Sequence, residues 1–120
     1  MIINAEQMSA FESQALRNFS RRLANYFQSK FSGRLAHNGV PVPHGEELVR
    51  KINELVGIAL TFRIIEELGV GQFVALGLGY SDTFYKIPRV AAMLTNGALS
   101  PEENIQRVIN AVIVAEARGV

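Results

Sequence analysis

The sequence contains no cysteine among its 120 residues. This absence excludes a disulfide framework, a thiolate metal site and a cysteine nucleophile. A long apolar run is also missing: the longest, residues 68–80, contains Gln72 and four glycines and is shorter than the roughly 20 residues that cross a bilayer. Asn4, Glu6 and Gln7 interrupt the start of the chain. We therefore expect no signal peptide, no membrane contact and a cytoplasmic location.

Excess charge of one sign is scarce too, since the formal net charge is +1. Such a chain has little bulk attraction for nucleic acid or anionic membranes, and neither is an expected partner. The charge is uneven, however, because residues 1–34 carry five basic and two acidic side chains. With 48% hydrophobic and 19% charged residues, the composition is that of a folded chain. Length and composition together predict one helical domain over residues 1–120.

Strand patterns are nearly absent, and apolar residues recur at helical spacing instead. The first helix is predicted over residues 5–31. Arg17 and Arg21 lie on its polar, exposed face, whereas Arg22 falls inside the apolar stripe and is predicted to be a buried structural charge. A buried arginine needs a carboxylate or several carbonyls around it. The stripe consists of Met8, Phe11, Ala15, Phe19, Leu23 and Tyr26, widened by Leu16 and Phe27.

A loop rich in glycine and proline, residues 32–45, follows the first helix. Glu46 and Glu47 then open a second helix, where negative charge suits the positive end of the helix dipole. This helix is apolar nearly all round and is predicted to end near residues 68–69, where a glycine follows a leucine. A helix of that kind belongs in the middle of a bundle.

A short buried helix is predicted next, over residues 71–80. Its Gly77 and Gly79 either weaken the helix by about 1 kcal/mol each or allow another helix to approach closely. A fourth short helix is predicted from Pro88 or Arg89 to Thr95.

The last helix has the clearest start in the sequence. Ser100 is a capping residue, Pro101 suits the first helical position, and Glu103 can complete a capping box. Val114 falls about 180° from Ile105, on the outer side. The predicted inward face consists of Ile105, Val108, Ile109, Val112 and Ile113. The elements together predict an all-α fold, a compact bundle of about five helices with the first and last helices longest.

Groups that carry chemistry are few. His37 and His44 flank the loop, but no cysteine or nearby acidic cluster completes a metal site, and neither histidine has a serine or acid at a suitable spacing. Two Gly-x-Gly pairs around the third helix lack the preceding strand of a phosphate-binding loop. Arg63 is interpreted as the ion-pair partner of either Glu66 or Glu67, at a spacing of three or four residues. The sequence therefore predicts no enzyme, no cofactor and no metal site.

A set of short motifs extends over most of the chain. It comprises Met1-Ile2-Ile3, Glu6-Gln7-Met8, Ala15-Leu16-Arg17 with Phe19 and Arg22, Gly57-Ile58, Phe73, Leu76, Gly79, Phe84 and residues 94–103 (LTNGALSPEE). The set resembles a family of small helical bacterial proteins whose genes commonly lie beside spike, effector and effector-chaperone genes of type VI secretion systems. Some proteins of that neighbourhood are described as co-chaperones for effector loading. The charged Glu-x-Asp-Val step of the family is replaced here by residues 68–71 (LGVG).

The resemblance implies a non-catalytic adaptor or co-chaperone that binds another protein, either a secreted effector or its chaperone. If Arg22 corresponds to an inward arginine of the family, its acidic partner is expected among Glu66, Glu67 and Asp82. Two alternatives stay open. One is an immunity-type inhibitor that binds a toxin, and the other is a homo-oligomeric structural protein.

Three exposed side chains are predicted to contact the partner. Arg17 and Arg21 can steer an acidic protein toward the first helix. Val114 can provide an apolar contact on the last helix.

Overall fold

A computed structural model describes residues 5–31 and 33–118, with side chains described from residue 17 onward. The described chain is all-α and contains five α-helices, which confirms the predicted fold class. These are α1 (Ala5–Phe31), α2 (Gly45–Thr61), α3 (Glu67–Gly79), α4 (Pro88–Leu94) and α5 (Pro101–Ala117), with a 3₁₀ turn over Phe84–Lys86. The helix α1 has 27 residues, and α2 is as long as α5, with 17 residues each.

The bounds of α1 agree with the prediction, but its buried side is rotated around the helix axis relative to the predicted apolar stripe. Ser20 and Ala24 are buried beside Phe19 and Phe27, whereas Tyr26, predicted to lie in the stripe, is 56% exposed. The small side chains of Ser20 and Ala24 allow the neighbouring helices to approach, so the buried arc turns toward them. Met8, Phe11, Ala15 and Leu16 lie outside the described side chains.

The boundary between α2 and α3 differs from the prediction. The helix α2 ends at Thr61 rather than near residue 68, and α3 begins at Glu67. Arg63 adopts a left-handed backbone conformation with φ of 63°, which ends the helix without the usual glycine. Ile64 then returns to the core. The predicted boundary was wrong because the apolar spacing continues across the turn.

The helix α3 lies between α1 and α5, and the three run in the same direction. On one side, the start of α3 contacts Arg22 of α1 through Glu67. The end of α3 contacts Phe31, whose ring lies 3.0 Å from where a Cβ of Gly79 would stand. On the other side, Gln72 donates a hydrogen bond of 3.2 Å to the side chain of Gln106 in α5.

The helix α2 covers the opposite side of α3 and runs antiparallel to it. A Cβ placed on Gly77 would lie 2.5 Å from Cδ2 of Leu55, a separation that carbon atoms do not adopt. Gly77 therefore permits the close approach of α2 and α3, one of the two roles considered for it in the sequence. The largest fully buried side chains are Phe73, Phe84, Leu48, Ile52, Leu55, Ile64 and Ile105.

The connection from α4 to α5 is held by side-chain bonds to the backbone. Ser100 Oγ accepts a hydrogen bond of 3.1 Å from the backbone N–H of Glu103, as the capping motif predicts. The buried amide of Asn104 donates to the carbonyl oxygens of Leu94 and Asn96, at 3.3 and 3.0 Å. These bonds satisfy carbonyls that the end of α4 leaves without intrahelical partners.

The inward face of α5 is largely as predicted, with one correction. Ile105, Val108 and Val112 are buried, and Ile109 packs partly against the core. Ile113, predicted to face inward, is 58% exposed. It extends past the edge of α3, onto a side of α5 that no other described helix covers.

The loop over residues 33–44 folds back onto the end of α3. The backbone N–H groups of His37 and Asn38 donate to the carbonyl oxygens of Gly79 and Tyr80, at 3.0 and 3.1 Å. Within the described part of the loop, an isolated β-bridge joins Leu35 to Pro41. The loop thus satisfies the C-terminal carbonyls of α3 without forming a sheet.

Candidate protein-binding surface

The outward side of α3 carries a stripe of small, polar and apolar residues. Leu68, Gln72, Ala75 and Gly79 recur at spacings of four, three and four, which places them on one side of a helix. Leu68 is 74% exposed, and the other three residues are partly exposed. Among the described residues, Phe31 of α1 packs against Gly79 at the end of this stripe, and no helix covers the rest of it from outside.

The helix α5 forms one wall of a shallow groove over this stripe. Ile109 and Ile113 line the groove together with Ala75 and Gly79, and its volume is about 430 Å³. We call the surface formed by Leu68, Gln72, Ala75, Gly79, Ile109 and Ile113 the α3 face. The middle of the α3 face is apolar. Its one side-chain amide, that of Gln72, donates a hydrogen bond to Gln106 of α5.

A stacked ring pair closes one end of the α3 face. The imidazole of His37 stacks on Tyr80 with ring centroids 5.0 Å apart. Its Nδ1 lies 3.7 Å from Oε1 of Glu116. These contacts join the loop, the end of α3 and the end of α5, so the three elements share one rim.

Arg22 occupies the opposite end of the α3 face, and its predicted burial is wrong. The side chain is 64% exposed and donates a hydrogen bond of 2.8 Å to Oε1 of Glu67. Its guanidinium carbon also lies 5.4 Å from the ring centroid of Phe19. Because the buried arc of α1 is turned toward Ser20, Arg22 lies at the edge of that arc and stays exposed to solvent.

The partner of Arg22 is Glu67, one of the three carboxylates expected for it. That pairing is confirmed, although the predicted burial of Arg22 is wrong. The same contact assigns Glu67 to Arg22, so Glu66 is the remaining carboxylate of the two interpreted as partners of Arg63.

The three predicted partner-binding residues are exposed but do not share the α3 face. Arg17 and Arg21 lie on the exposed side of α1. Arg21 directly precedes Arg22, which places it about 100° around α1 from the side chain that contacts Glu67. Val114 is five residues after Ile109 and is turned away from the groove by about 140°. The structure therefore separates the basic pair, the outer valine and the groove into distinct surfaces.

The basic pair belongs to a longer stretch without carboxylates. Residues 13–45 contain five arginine or lysine side chains and no aspartate or glutamate. Arg17, Arg21, Lys30 and Arg34 are exposed within it. Glu67 comes from α3 to pair with Arg22. Exposed basic side chains thus recur along this stretch.

A second cavity, of about 260 Å³, lies between the loop and α2. Lys51 at its rim lies 3.3 Å from the carboxylate of Asp82 and 3.8 Å from that of Glu54. Lys51 is thus paired with both carboxylates, and Glu47 and Arg50 also line the cavity. His44 is exposed just before α2 and makes no side-chain capping bond there. Within residues 17–31 and 33–118, no three histidine, cysteine, aspartate or glutamate side chains are grouped closely enough to hold a metal ion.

Comparison with known proteins adds no family assignment. No family model, curated protein or solved structure matches the chain. In the described part of the chain, no helix has the length and hydropathy needed to cross a membrane.

The α3 face is not predicted by the sequence. The apolar pattern predicts Leu68 at the end of the preceding helix and Ile113 in the core, whereas both side chains are more than half exposed. A signal was present: Leu68, Gln72, Ala75 and Gly79 form one helical stripe that is less apolar than the rest of α3. It becomes visible only when α3 is started at Glu67.

Proposed function

We propose that the chain is a non-catalytic adaptor, a co-chaperone that binds a secreted bacterial effector or its loading chaperone in a type VI secretion system. The observation that carries the protein-binding part is the pair of exposed arginines on one side of α1, Arg17 and Arg21, which we call the basic surface. The type VI context is supported by the sequence resemblance of the motifs.

The basic surface favours an acidic protein as the partner. Arg17 and Arg21 are both exposed on α1, about one helical turn apart, so a single helix supports both charges. Exposed cations on such a support mainly raise the rate of association, and the gain falls as salt screens the charges. The adaptor is therefore expected to capture its partner faster at low ionic strength than at high ionic strength.

The test is co-expression of the chain with the proteins encoded beside its gene, followed by purification of the complex. A double variant, Arg17→Glu with Arg21→Glu, is expected to slow association with the captured effector or chaperone by roughly tenfold or more. The matched control is Arg89→Glu with Arg107→Glu, which reverses two exposed charges on α4 and α5. Equal rates for the two double variants would refute the role assigned to the basic surface.

The same experiment separates the adaptor from a toxin inhibitor. An adaptor forms a complex that leaves the effector's toxic activity intact and increases its delivery. If the chain alone rescues cells from the neighbouring toxin, the inhibitor replaces the adaptor. Capture of no protein encoded nearby would remove the type VI assignment.

A further inference from the structure

A third cavity, of about 330 Å³, lies between the end of α2 and the connection from α4 to α5. No residue of α1 or α3 lines it, so it is separate from both the basic surface and the α3 face. A cavity of this size can hold a small organic molecule. Its polar lining residues are Thr61, Arg63, Thr95, Asn96 and Asn104.

Asn104 has a side-chain oxygen that the fold leaves without a hydrogen-bond donor. The residue is only 4% exposed, and its amide NH₂ donates to the carbonyl oxygens of Leu94 and Asn96 at 3.3 and 3.0 Å. These two bonds fix the orientation of the amide. The remaining atom, Oδ1, has no hydrogen-bond partner among the described residues. A buried acceptor of this kind costs free energy, which an N–H donor from a ligand recovers.

Two threonines at the same cavity have hydroxyl hydrogens that are already in use. The hydroxyl of Thr61 donates to the carbonyl oxygen of Ile58 at 2.6 Å, and that of Thr95 donates to the carbonyl oxygen of Ala91 at 2.8 Å. Both hydroxyl oxygens can still accept a hydrogen bond. With Oδ1 of Asn104, the cavity therefore offers three acceptors. An ammonium group has three N–H donors and no acceptor, and so it matches this set.

The cavity also carries donors for an anion. Arg63 is exposed and forms no ion pair among the described residues. Its left-handed backbone, with φ of 63°, is costly for a residue with a side chain and is easily adopted by glycine. An arginine at this position therefore indicates a use for its guanidinium. Asn96 adds a side-chain NH₂, because its Oδ1 already accepts from the backbone N–H of Ala98 at 2.9 Å. A carboxylate can accept from both kinds of donor.

We propose that this cavity binds a free α-amino acid with an apolar side chain. The ammonium group donates to the oxygens of Thr61, Thr95 and Asn104, and the carboxylate accepts from Arg63 and Asn96. A free amino acid carries both groups on one carbon atom, whereas each end of a polypeptide carries only one of them. The site does not rest on the proposed adaptor function.

The rest of the lining determines the side chain of the ligand and how it enters. The apolar residues at the cavity are Phe62, Leu94, Leu99 and Pro101, against which an aliphatic side chain can be buried. Oδ1 of Asn104 has almost no accessible surface of its own. The turn over residues 95–99 therefore shifts as the ligand enters.

NMR spectra of the N–H groups, recorded while L-leucine is added to the full chain, measure the binding. We expect saturable shifts with a dissociation constant on the order of 1 mM or below. The side-chain NH₂ signals of Asn104 are expected to move. Those of Asn110, which is exposed on α5 and does not line the cavity, are expected to stay in place. The absence of shifts at about 10 mM leucine overturns the proposal, as do equal shifts at the two asparagines.

Two leucine analogues distinguish a free amino acid from the end of a polypeptide. N-acetyl-L-leucine lacks the ammonium group and resembles a C-terminal residue, and L-leucinamide lacks the carboxylate and resembles an N-terminal residue. Each is expected to bind at least about tenfold more weakly than leucine. If either analogue binds as tightly as leucine, the cavity accepts a chain end and the free amino acid is refuted.

Two substitutions test the contacts without unfolding the chain. Arg63→Gly is expected to weaken leucine binding at least about tenfold with no loss of stability, because glycine readily adopts a positive φ. Arg107→Ala, at an exposed position outside the cavity, is expected to change the affinity less than about twofold. Thr95→Val is expected to weaken binding at least about threefold, whereas Thr95→Ser retains the oxygen and the affinity. Unchanged affinity in Arg63→Gly, or equal affinities of the two Thr95 variants, overturns the proposal.

Discussion

Replacement of Gly77 by alanine tests the packing of α2 on α3. The new Cβ would lie 2.5 and 2.6 Å from the two Cδ atoms of Leu55 and 3.1 Å from its Cγ. Leu55 is fully buried, so its side chain has little room to move away. Either the helices separate or the leucine leaves its preferred rotamer, and both responses cost free energy.

The expected magnitude is a balance of two effects. Alanine favours a helix over glycine by about 1 kcal/mol, whereas overpacking a filled core costs about 1–3 kcal/mol. Because Leu55 is fully buried, we take the upper part of that range, about 2–3 kcal/mol. Subtracting the helical gain, we expect Gly77→Ala to lower the free energy of unfolding by about 1–2 kcal/mol. Gly57→Ala provides the control, since Gly57 is exposed in α2 and a Cβ there meets nothing within 4 Å. That variant gains the helical preference alone and should be more stable by about 1 kcal/mol.

Chemical denaturation gives the two free energies, and thermal melting gives a second reading. For a chain of this size, 1 kcal/mol corresponds to a change in Tm of about 4 °C. Gly57→Ala should therefore melt higher than the parent, and Gly77→Ala should melt lower. If both variants gain stability by the same amount, Leu55 does not restrict position 77 and the described contact between α2 and α3 is wrong.

Three further substitutions have defined outcomes in the same unfolding assay. Asn104→Ala removes two hydrogen bonds to carbonyls at the end of α4 and should cost about 2–4 kcal/mol; a loss below about 0.5 kcal/mol would contradict those bonds. Ser100→Ala removes the cap of α5 and should cost about 1 kcal/mol, with Ser100→Asp retaining stability, because aspartate also caps; equal losses for both would contradict the capping role. Arg22→Ala should cost no more than about 1 kcal/mol and should resemble Arg21→Ala, because the Arg22 pair with Glu67 is exposed. A much larger loss for Arg22→Ala would indicate the buried placement that the structure excludes.

The elements with strong local signals were predictable from the sequence. The start of α5 is determined by Ser100 and Pro101, whose conformational preferences act within one turn of helix. Pro88 likewise opens α4. The loop after α1 follows from its glycines and prolines. In each case, the residues that determine the structure are close together in the chain, so no knowledge of the packing was needed.

The features that depend on packing were not predictable. Arg63 follows α2 in a left-handed conformation that glycine usually adopts. Arginine has no local preference for this conformation, so the sequence does not predict it. The exposure of Arg22 and Ile113 depends on how far the neighbouring helices extend over α1 and α5. A periodic pattern gives the apolar side of a helix but not the width of the arc that is covered. The α3 face depends on the same missing information, because it lies where coverage by other helices stops.

The fit of Leu55 over Gly77 also fixes how far α2 can slide along α3. Moving α2 by one helical turn, about 5.4 Å, would bring the leucine from the glycine to Phe73 or Val74, both fully buried and larger. In that displaced register, Leu55 would clash with Phe73 or Val74. Gly77, which has no side chain, thus selects one alignment of α2 along α3. The other contacts between the two helices are apolar and would tolerate several alignments.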